Sequence, residues 1–276
     1  MAPDRATARH HPPLGGEADA TEGGAGDAHT AAPNASVGDG STVDAGTAAP
    51  DPTEAFKRAA AEAAAEMVED GMRVGLGTGS TVAYLLPALA ERGLRGLRCA
   101  ATSPATEQAA RAAGLLVEEL DALGELDLAI DGADQVARSG WLVKGGGAAQ
   151  TREKIVAASA RRFVVIVSAE KAVAALRSPV PLELLRFGVE RTLAEVGEAR
   201  LRGELESPDG NPIADYFGPI GDPASLAARL SATPGVVEHG LFAPSMVSCV
   251  LVAGPGGVEH HAGGKQDPGL GSRGGG

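Results

Sequence analysis

Three short segments of this 276-residue chain carry residue types whose spacing could do chemistry. The first is Gly75-Leu76-Gly77-Thr78-Gly79-Ser80-Thr81, set between an apolar strand-like run and a helical pattern. Backbone amides exposed at such a turn, with the positive end of a helix dipole behind them, favour an anion. It is neither of the two common phosphate loops: a dinucleotide fingerprint needs glycine where Ser80 stands, and a Walker loop needs a Gly-Lys-Ser/Thr ending. Alone, the segment reads equally well as a tight strand-to-helix turn. The second segment is Asp131-Gly132-Ala133-Asp134, directly after an apolar strand run, where open α/β sheets place ligand groups. Two acids at this spacing suit acid–base work, and Asp131 bonding its own backbone in a turn is an equal reading. A metal pair is disfavoured, because no histidine lies near in sequence. The third is Lys144-Gly145-Gly146-Gly147, followed by a helix bearing Thr151-Arg152-Glu153-Lys154. Glycines before a helix expose amide donors, and Lys144 adds a mobile cation suited to an oxyanion or phosphate. Glu153 is expected two turns into that helix, where most such residues are surface acids, with Arg152 and Lys154 as solvated neighbours. Trp141 reads as packing rather than a stacking platform.

The elements that must position these segments follow from the apolar pattern. Asp51, Pro52 and Glu54 form an N-cap, a first-turn proline and a first-turn acid, and Phe56, Ala60, Ala63, Ala64 and Met67 repeat at helical spacing until Gly71. Strands are expected over 72–76, 97–101, 115–119, 126–130 and 163–167, with helices over 82–90, 105–113 and 148–160. This alternation predicts a parallel sheet covered by helices; the continuous apolar run at 163–167 suits a central strand. From Pro181 the order becomes strand, helix, strand, a Pro208-Asp209-Gly210-Asn211 turn, strand, helix and strand up to Phe242. That βαββαβ order is the ferredoxin-like split unit. A further apolar strand over 246–252 exceeds the count and is expected to rejoin the first sheet. The fold class is therefore α/β, a parallel-sheet Rossmann-like domain with an inserted ferredoxin-like α+β domain. The expected boundaries are a disordered Ala/Gly-rich tail over 1–50, a catalytic Rossmann-like domain over 51–178, the insertion over 179–244, a return strand over 245–260 and a disordered Gly-rich tail over 261–276.

Composition narrows the function. Twenty-four basic against 36 acidic residues give a net charge of -12, which argues against nucleic-acid binding through a basic face. Any anionic ligand must be held locally. No apolar run is long enough to span a membrane and the N-terminus lacks a signal-peptide pattern, so a cytoplasmic protein without a membrane partner is expected. Cys99 and Cys249 sit in apolar strand runs as buried small hydrophobes rather than as a disulfide or metal ligands. His10, His11 and His29 fall in the N-terminal tail without metal-ligand spacing. That tail is expected to be dispensable for activity.

Taken together, Gly77-Thr78-Gly79-Ser80-Thr81, Ala101-Thr102-Ser103, Asp131-Gly132-Ala133-Asp134 and Lys144-Gly145-Gly146-Gly147-Ala148-Ala149 with Thr151-Arg152-Glu153-Lys154 resemble the type A ribose-5-phosphate isomerases. Pro179-Val180-Pro181-Leu182-Glu183, Pro234-Gly235-Val236-Val237 and Gly240-Leu241-Phe242 resemble that family's insertion-domain signatures. The resemblance implies interconversion of ribose 5-phosphate and ribulose 5-phosphate through an enediol, in the non-oxidative pentose phosphate pathway, with no metal and no organic cofactor. It also implies a homodimer or homotetramer. By the family pattern Glu153 is the base that moves the proton, and Lys144 with the amides of Gly145, Gly146 and Gly147 stabilises the enediolate. Asp131 is implied as the acid/base of ring opening and Asp134 as the group that orients sugar hydroxyls. Thr78, Gly79, Ser80, Thr81, Gly132, Ala133, Lys171 and Lys57 resemble positions that bind the substrate and its phosphate. One departure is Gln135, where the family usually has glutamate; it is expected to shift pH dependence without abolishing turnover. The rival readings are a sugar-phosphate sensing module, or another enzyme on this fold, a sugar-phosphate deaminase or a coenzyme A transferase. A sensor has no need of a base at Glu153, and no helix-turn-helix pattern appears.

Overall fold

The computed structural model describes residues 51–265. The expected tail over 1–50 and most of that over 261–276 lie outside these residues. The chain begins with α1 (Pro52–Ala65), β1 (Arg73–Leu76), α2 (Ser80–Glu91), β2 (Arg98–Ala101), α3 (Pro104–Ala112), α4 (Leu120–Leu123) and β3 (Leu126–Asp131). It continues through β4 (Gln135–Ala137), β5 (Leu142–Val143), α5 (Gln150–Ala158), β6 (Ala160–Ser168) and β7 (Ala172–Val173). Then come β8 (Val180–Leu184), α6 (Val189–Val196), β9 (Ala199–Glu206), β10 (Pro212–Tyr216), α7 (Pro223–Ala232) and β11 (Val236–His239). Last are β12 (Leu241–Phe242), β13 (Cys249–Gly254) and β14 (Gly257–Ala262).

The principal sheet runs β14-β13-β6-β3-β1-β2 and is parallel except at the β13–β14 hairpin. Alternation along β6 sends Val164 and Ile166 to one apolar cluster and Phe163, Val165 and Val167 to the other, so the strand is covered on both faces. Helix α1 caps itself through Asp51, whose carboxylate accepts from the Thr53 amide at 2.9 Å, and packs Ala60, Ala61, Ala64 and Ala65 on the sheet. It stops at Ala65, short of Gly71. The Arg92 guanidinium from the end of α2 takes the exposed carbonyls of Ala65 and Val68 and closes the last turn.

A second sheet runs β11-β8-β10-β9 with every neighbour antiparallel, carrying α6 and α7 in βαββαβ order. Val180, Leu182, Leu184, Ala214, Tyr216, Leu226 and Leu230 form its core. The fold is thus α/β, Rossmann-like with a ferredoxin-like unit, and β13 lies parallel to β6 in the principal sheet.

Several local expectations are corrected. Residues 115–119 make a single parallel bridge, Val117 to Cys99, and then turn into α4. The run over 236–242 is two strands in two sheets, broken at Gly240. A Cβ at Gly240 would stand 2.1 Å from the Lys144 carbonyl, so the chain passes too close there for a side chain. A small third sheet, β12-β5-β4-β7, was not legible because its strands are two or three residues long. The hairpin extends past residue 260, and Gly263, Gly264 and Lys265 donate backbone bonds to Ser248, Pro244 and Val247, so residues 261–265, expected in the C-terminal tail, belong to the folded part.

Candidate active site

Parallel pairing aligns Leu76 with Ala101 and with Ile130, so the turns after β1, β2 and β3 share the carboxyl edge of the principal sheet. The small sheet brings Lys144, which follows β5, to the same edge: its amide donates to the Gly240 carbonyl at 2.8 Å. There the Lys144 ammonium is buried 2.9 Å from Asp131 Oδ2 and 3.1 Å from Glu153 Oε2, and donates to the Gly132 carbonyl at 2.6 Å. Burial alone would push Lys144 down, but the flanking Asp131 and Glu153 carboxylates outweigh it and hold the ammonium firmly protonated.

One cation cannot fully serve two buried carboxylates. Burial, and then the negative charge of Asp131, raise Glu153 to about 7 against the pull of Lys144. Burial likewise raises Asp131 against the pull of Lys144. Asp131 Oδ1 accepts from the amides of Thr78, at 3.1 Å, and Gly132, at 2.7 Å. Gly77 makes this close approach possible: a Cβ there would fall 2.0 Å from the Asp131 carboxyl carbon.

Lys144 and Glu153 form the floor of a cleft of about 420 Å³. One wall is the start of α2, where Gly79 at φ 125° is the cap and no side chain takes the first amides. Lys57 and Lys171 line the same cleft, so a helix N-terminus and two basic residues border one space, which favours an anion. The opposite wall is Gly145, Gly146 and Gly147, with Asp134 accepting from the Gly146 amide at 2.8 Å.

Of the residues singled out in the sequence, Lys57, Thr78, Gly79, Ser80, Thr81, Gly132, Ala133, Asp134, Lys144, Gly145, Gly146, Gly147, Glu153 and Lys171 all line this cleft. Asp131 lies one layer behind, with both carboxylate oxygens against protein groups rather than toward the cleft. Lys57 is ion-paired with Glu54 at 2.6 Å. Glu153 is in the first turn of α5, not two turns in, and it is buried rather than a surface acid. Of its neighbours, Arg152 keeps a partly exposed side chain, as expected, whereas Lys154 is largely buried. Arg152 grips Asp209 through Nε and one terminal nitrogen, and Lys154 bonds Glu238 and the His239 carbonyl, each at 2.7 Å. Thr151 donates to the buried Glu183, which Ser207 and Asn211 hold at 2.8 Å each. The second sheet therefore pins α5 on three sides and fixes the turn that presents Glu153. Trp141 packs against the core of that sheet, as expected.

Gln135 is outside the cleft lining. Its Nε2 donates to the Arg177 carbonyl at 2.7 Å and its Oε1 accepts from the Arg177 amide at 2.8 Å, so it clamps a connecting segment. Sequence reasoning missed Thr53 and Glu170, which also line the cleft; neither belongs to a glycine-rich motif, and only adjacency to Glu54 and Lys171 could have signalled them.

A buried lysine shared between Glu153 at the cleft floor and Asp131 behind it, next to an open helix N-terminus and a glycine loop, suits proton transfer on a phosphorylated substrate. The profile of the family ribose 5-phosphate isomerase A (phosphoriboisomerase A) matches residues 98–257. Ribose-5-phosphate isomerase A of Gluconobacter oxydans is 47% identical over 220 residues, spanning 74% of this chain and 95% of the relative. The chain belongs to the ribose-5-phosphate isomerase A family. Among solved structures, a D-ribose-5-phosphate isomerase in complex with phospho-erythronic acid superposes with a TM-score of 0.73 at 35% identity, covering 76% of this chain and 99% of that one. The ribose 5-phosphate isomerase A of Neisseria gonorrhoeae gives 0.72 at 30% identity, covering 76% and 97%. Among the described residues no helix is long and apolar enough to cross a membrane.

Proposed function

We propose that this isomerase-family chain interconverts D-ribose 5-phosphate and D-ribulose 5-phosphate by proton transfer at Glu153, through a 1,2-enediolate. The observation that carries the assignment is Glu153 itself: a buried carboxylate raised to about 7, at the floor of a cleft whose other end is an anion seat. A base whose conjugate acid titrates near neutrality can both take and return a proton at working pH.

The open-chain aldose presents its C2 proton to Glu153, and the electron pair left on C2 moves into the carbonyl to give an enediolate charged on O1. A proton reaches O1, O2 gives one up, and Glu153 returns its proton to C1, leaving the ketose. Lys144 and the glycine-loop amides stabilise the developing charge, worth on the order of 3 kcal/mol per donor. Asp134 and the loop orient the hydroxyls, and the first amides of α2 with Lys57 and Lys171 hold the phosphate. Asp131 serves by holding Lys144 and by raising Glu153; in ring opening it acts through that lysine, since its own oxygens face protein groups. The phospho-erythronic acid bound by the solved relative pairs a phosphate with a carboxylate, the charge distribution of a phosphorylated enediolate.

A cytoplasmic homo-oligomer completes the proposal. Phe187, Leu185, Leu201, Leu205 and Phe217 expose apolar side chains on the ferredoxin-like unit, which suits contact with a second copy; light scattering reads the mass. The function is tested by incubating the protein with ribose 5-phosphate in excess chelator and following ketose formation. Turnover that falls by roughly 10²- to 10⁴-fold in Glu153→Gln supports the assignment. Tight binding without turnover by the unaltered protein would replace it with the sensor reading.

A further inference from the structure

We infer that Arg202, on β9 of the ferredoxin-like unit, is a positioning residue for the isomerase reaction, orienting the amide donors of the glycine loop across the domain boundary. The inference rests on the isomerase reading of the cleft. One terminal nitrogen of Arg202 donates to the carbonyls of both Gly145 and Gly146, each at 3.1 Å. The rest of the guanidinium is held by Asp215 on β10, through Nε to Oδ2 at 2.8 Å and through the second terminal nitrogen to Oδ1. Asp215 stands opposite Arg200, so Arg202 reaches it as a diagonal cross-strand neighbour on a paired sheet. Both ends of the fork are engaged: one reads a carboxylate, the other two peptide carbonyls.

A peptide unit is planar and trans, so fixing a carbonyl on one side fixes the following amide on the other. In the Gly145–Gly146 peptide the carbonyl goes to Arg202 and the amide to Asp134 at 2.8 Å, so this unit is clamped from both sides. In the Gly146–Gly147 peptide the carbonyl again goes to Arg202. Its amide, on Gly147, has no protein acceptor among the described residues and belongs to a residue that lines the cleft. Arg202 therefore turns one amide to Asp134 and leaves the next for the substrate. Glycine peptides flip readily, with Gly145 at φ 105°; the Gly145 carbonyl also accepts from the Ala148 amide at 3.0 Å, whereas among the described residues the Gly146 carbonyl is held by Arg202, so the Gly146–Gly147 peptide is the one that depends on the external hold. Arg202 is not part of the cleft lining and acts only through the loop.

The test is steady-state kinetics of Arg202→Met and Arg202→Lys with ribose 5-phosphate, beside the unaltered enzyme, with folding checked by circular dichroism and melting. Methionine removes both sets of bonds; lysine keeps the charge without the fork. The expected result is a kcat lower by roughly 10- to 100-fold in Arg202→Met, with KM changed less than about threefold because the phosphate seat is untouched. Arg202→Lys should fall between. A double-mutant cycle with Asp134→Asn separates positioning from general support: the two side chains grip one peptide, so their kcat losses should be less than multiplicative. Added guanidinium should restore part of the kcat of Arg202→Met.

Unchanged kcat in either folded variant, or strictly multiplicative losses with Asp134→Asn, would overturn the inference while leaving the isomerase assignment intact. If Arg202→Met does not fold, Arg202→Lys and Asp215→Asn carry the same comparison. Absence of turnover in the unaltered enzyme would instead defeat the reading beneath it.

Discussion

Replacing Glu153 by glutamine should destroy turnover and yet stabilise the protein at alkaline pH. Glu153 is raised to about 7 in the folded chain from an ordinary value of 4.5. Between those values the folded state binds more protons than the unfolded chain, so wild-type stability falls as pH rises through this window. At about 1.4 kcal/mol for each pH unit of the window, the loss of stability across it is about 3 kcal/mol. The penalty is absent below pH ~4.5, where the carboxyl is neutral in both states, and complete above pH ~7. Glutamine has no proton to lose, and Lys144 keeps Asp131 as partner in the variant. Subtracting the two stability profiles cancels the titrating groups that do not feel Glu153; Asp131 does feel it, and losing that neighbouring charge eases the ionisation of Asp131, which acts in the same direction. The variant should gain on the wild type by about 3 kcal/mol between pH 4 and pH 9, or roughly 6–12 °C in Tm for a domain of this size. Urea unfolding and thermal melts of both proteins across that range provide the assay. Parallel profiles would refute the reasoning, because they would mean that burial and Asp131 do not raise Glu153.

Three further outcomes follow from particular contacts. Gly77→Ala places a Cβ 2.0 Å from the Asp131 carboxyl carbon and must displace the group that holds Lys144; turnover should drop at least tenfold and Tm should fall, by overpacking worth about 1–3 kcal/mol. A wild-type kcat in that variant would show that Asp131 has no fixed role. Gln135→Glu loses the donor to the exposed Arg177 carbonyl and sets oxygen against oxygen, so stability should fall by about 0.5–1.5 kcal/mol while kcat stays within twofold and its pH profile is unmoved; a displaced pH profile would restore the expectation drawn from the sequence. Gln150 is buried at the start of α5 and neither amide atom has a hydrogen-bond partner among the described residues, so Gln150→Leu should be neutral or stabilising by up to about 2 kcal/mol in denaturant unfolding. Destabilisation by more than ~1 kcal/mol would mean that the carboxamide is satisfied.

The cleft was readable in the sequence because its parts are local. Gly77 to Thr81, Asp131 to Asp134 and Lys144 to Gly147 each follow a strand or precede a helix, and parallel pairing of β1, β2 and β3 then brings the first two to one edge. What holds those parts was not readable. Arg202 is 56 and 57 residues from the carbonyls it grips, and Glu183 is 32 from Thr151, so only the closed topology creates these contacts. The depth of Asp131 and the burial of Glu153 have the same origin: the α5 pattern taken alone gives an acid between two bases, which reads as a solvated face. The small sheet is illegible because strands of two or three residues carry no periodicity, and Gly240 lies in a continuous strand-like pattern that says nothing of the Lys144 backbone passing beside it.

The central claim is that Glu153 moves a proton between C2 and C1 of a sugar phosphate. It is tested most directly by running the reaction from unlabelled ribose 5-phosphate in deuterium oxide and reading C1 of the product by NMR. The unaltered enzyme should form ribulose 5-phosphate whose C1 carries solvent deuterium in the fraction of turnovers in which the proton on Glu153 exchanges before its return and the substrate's own C2 proton in the rest, and Glu153→Gln should form product at no comparable rate. Product formed at near wild-type rate by Glu153→Gln would contradict the account.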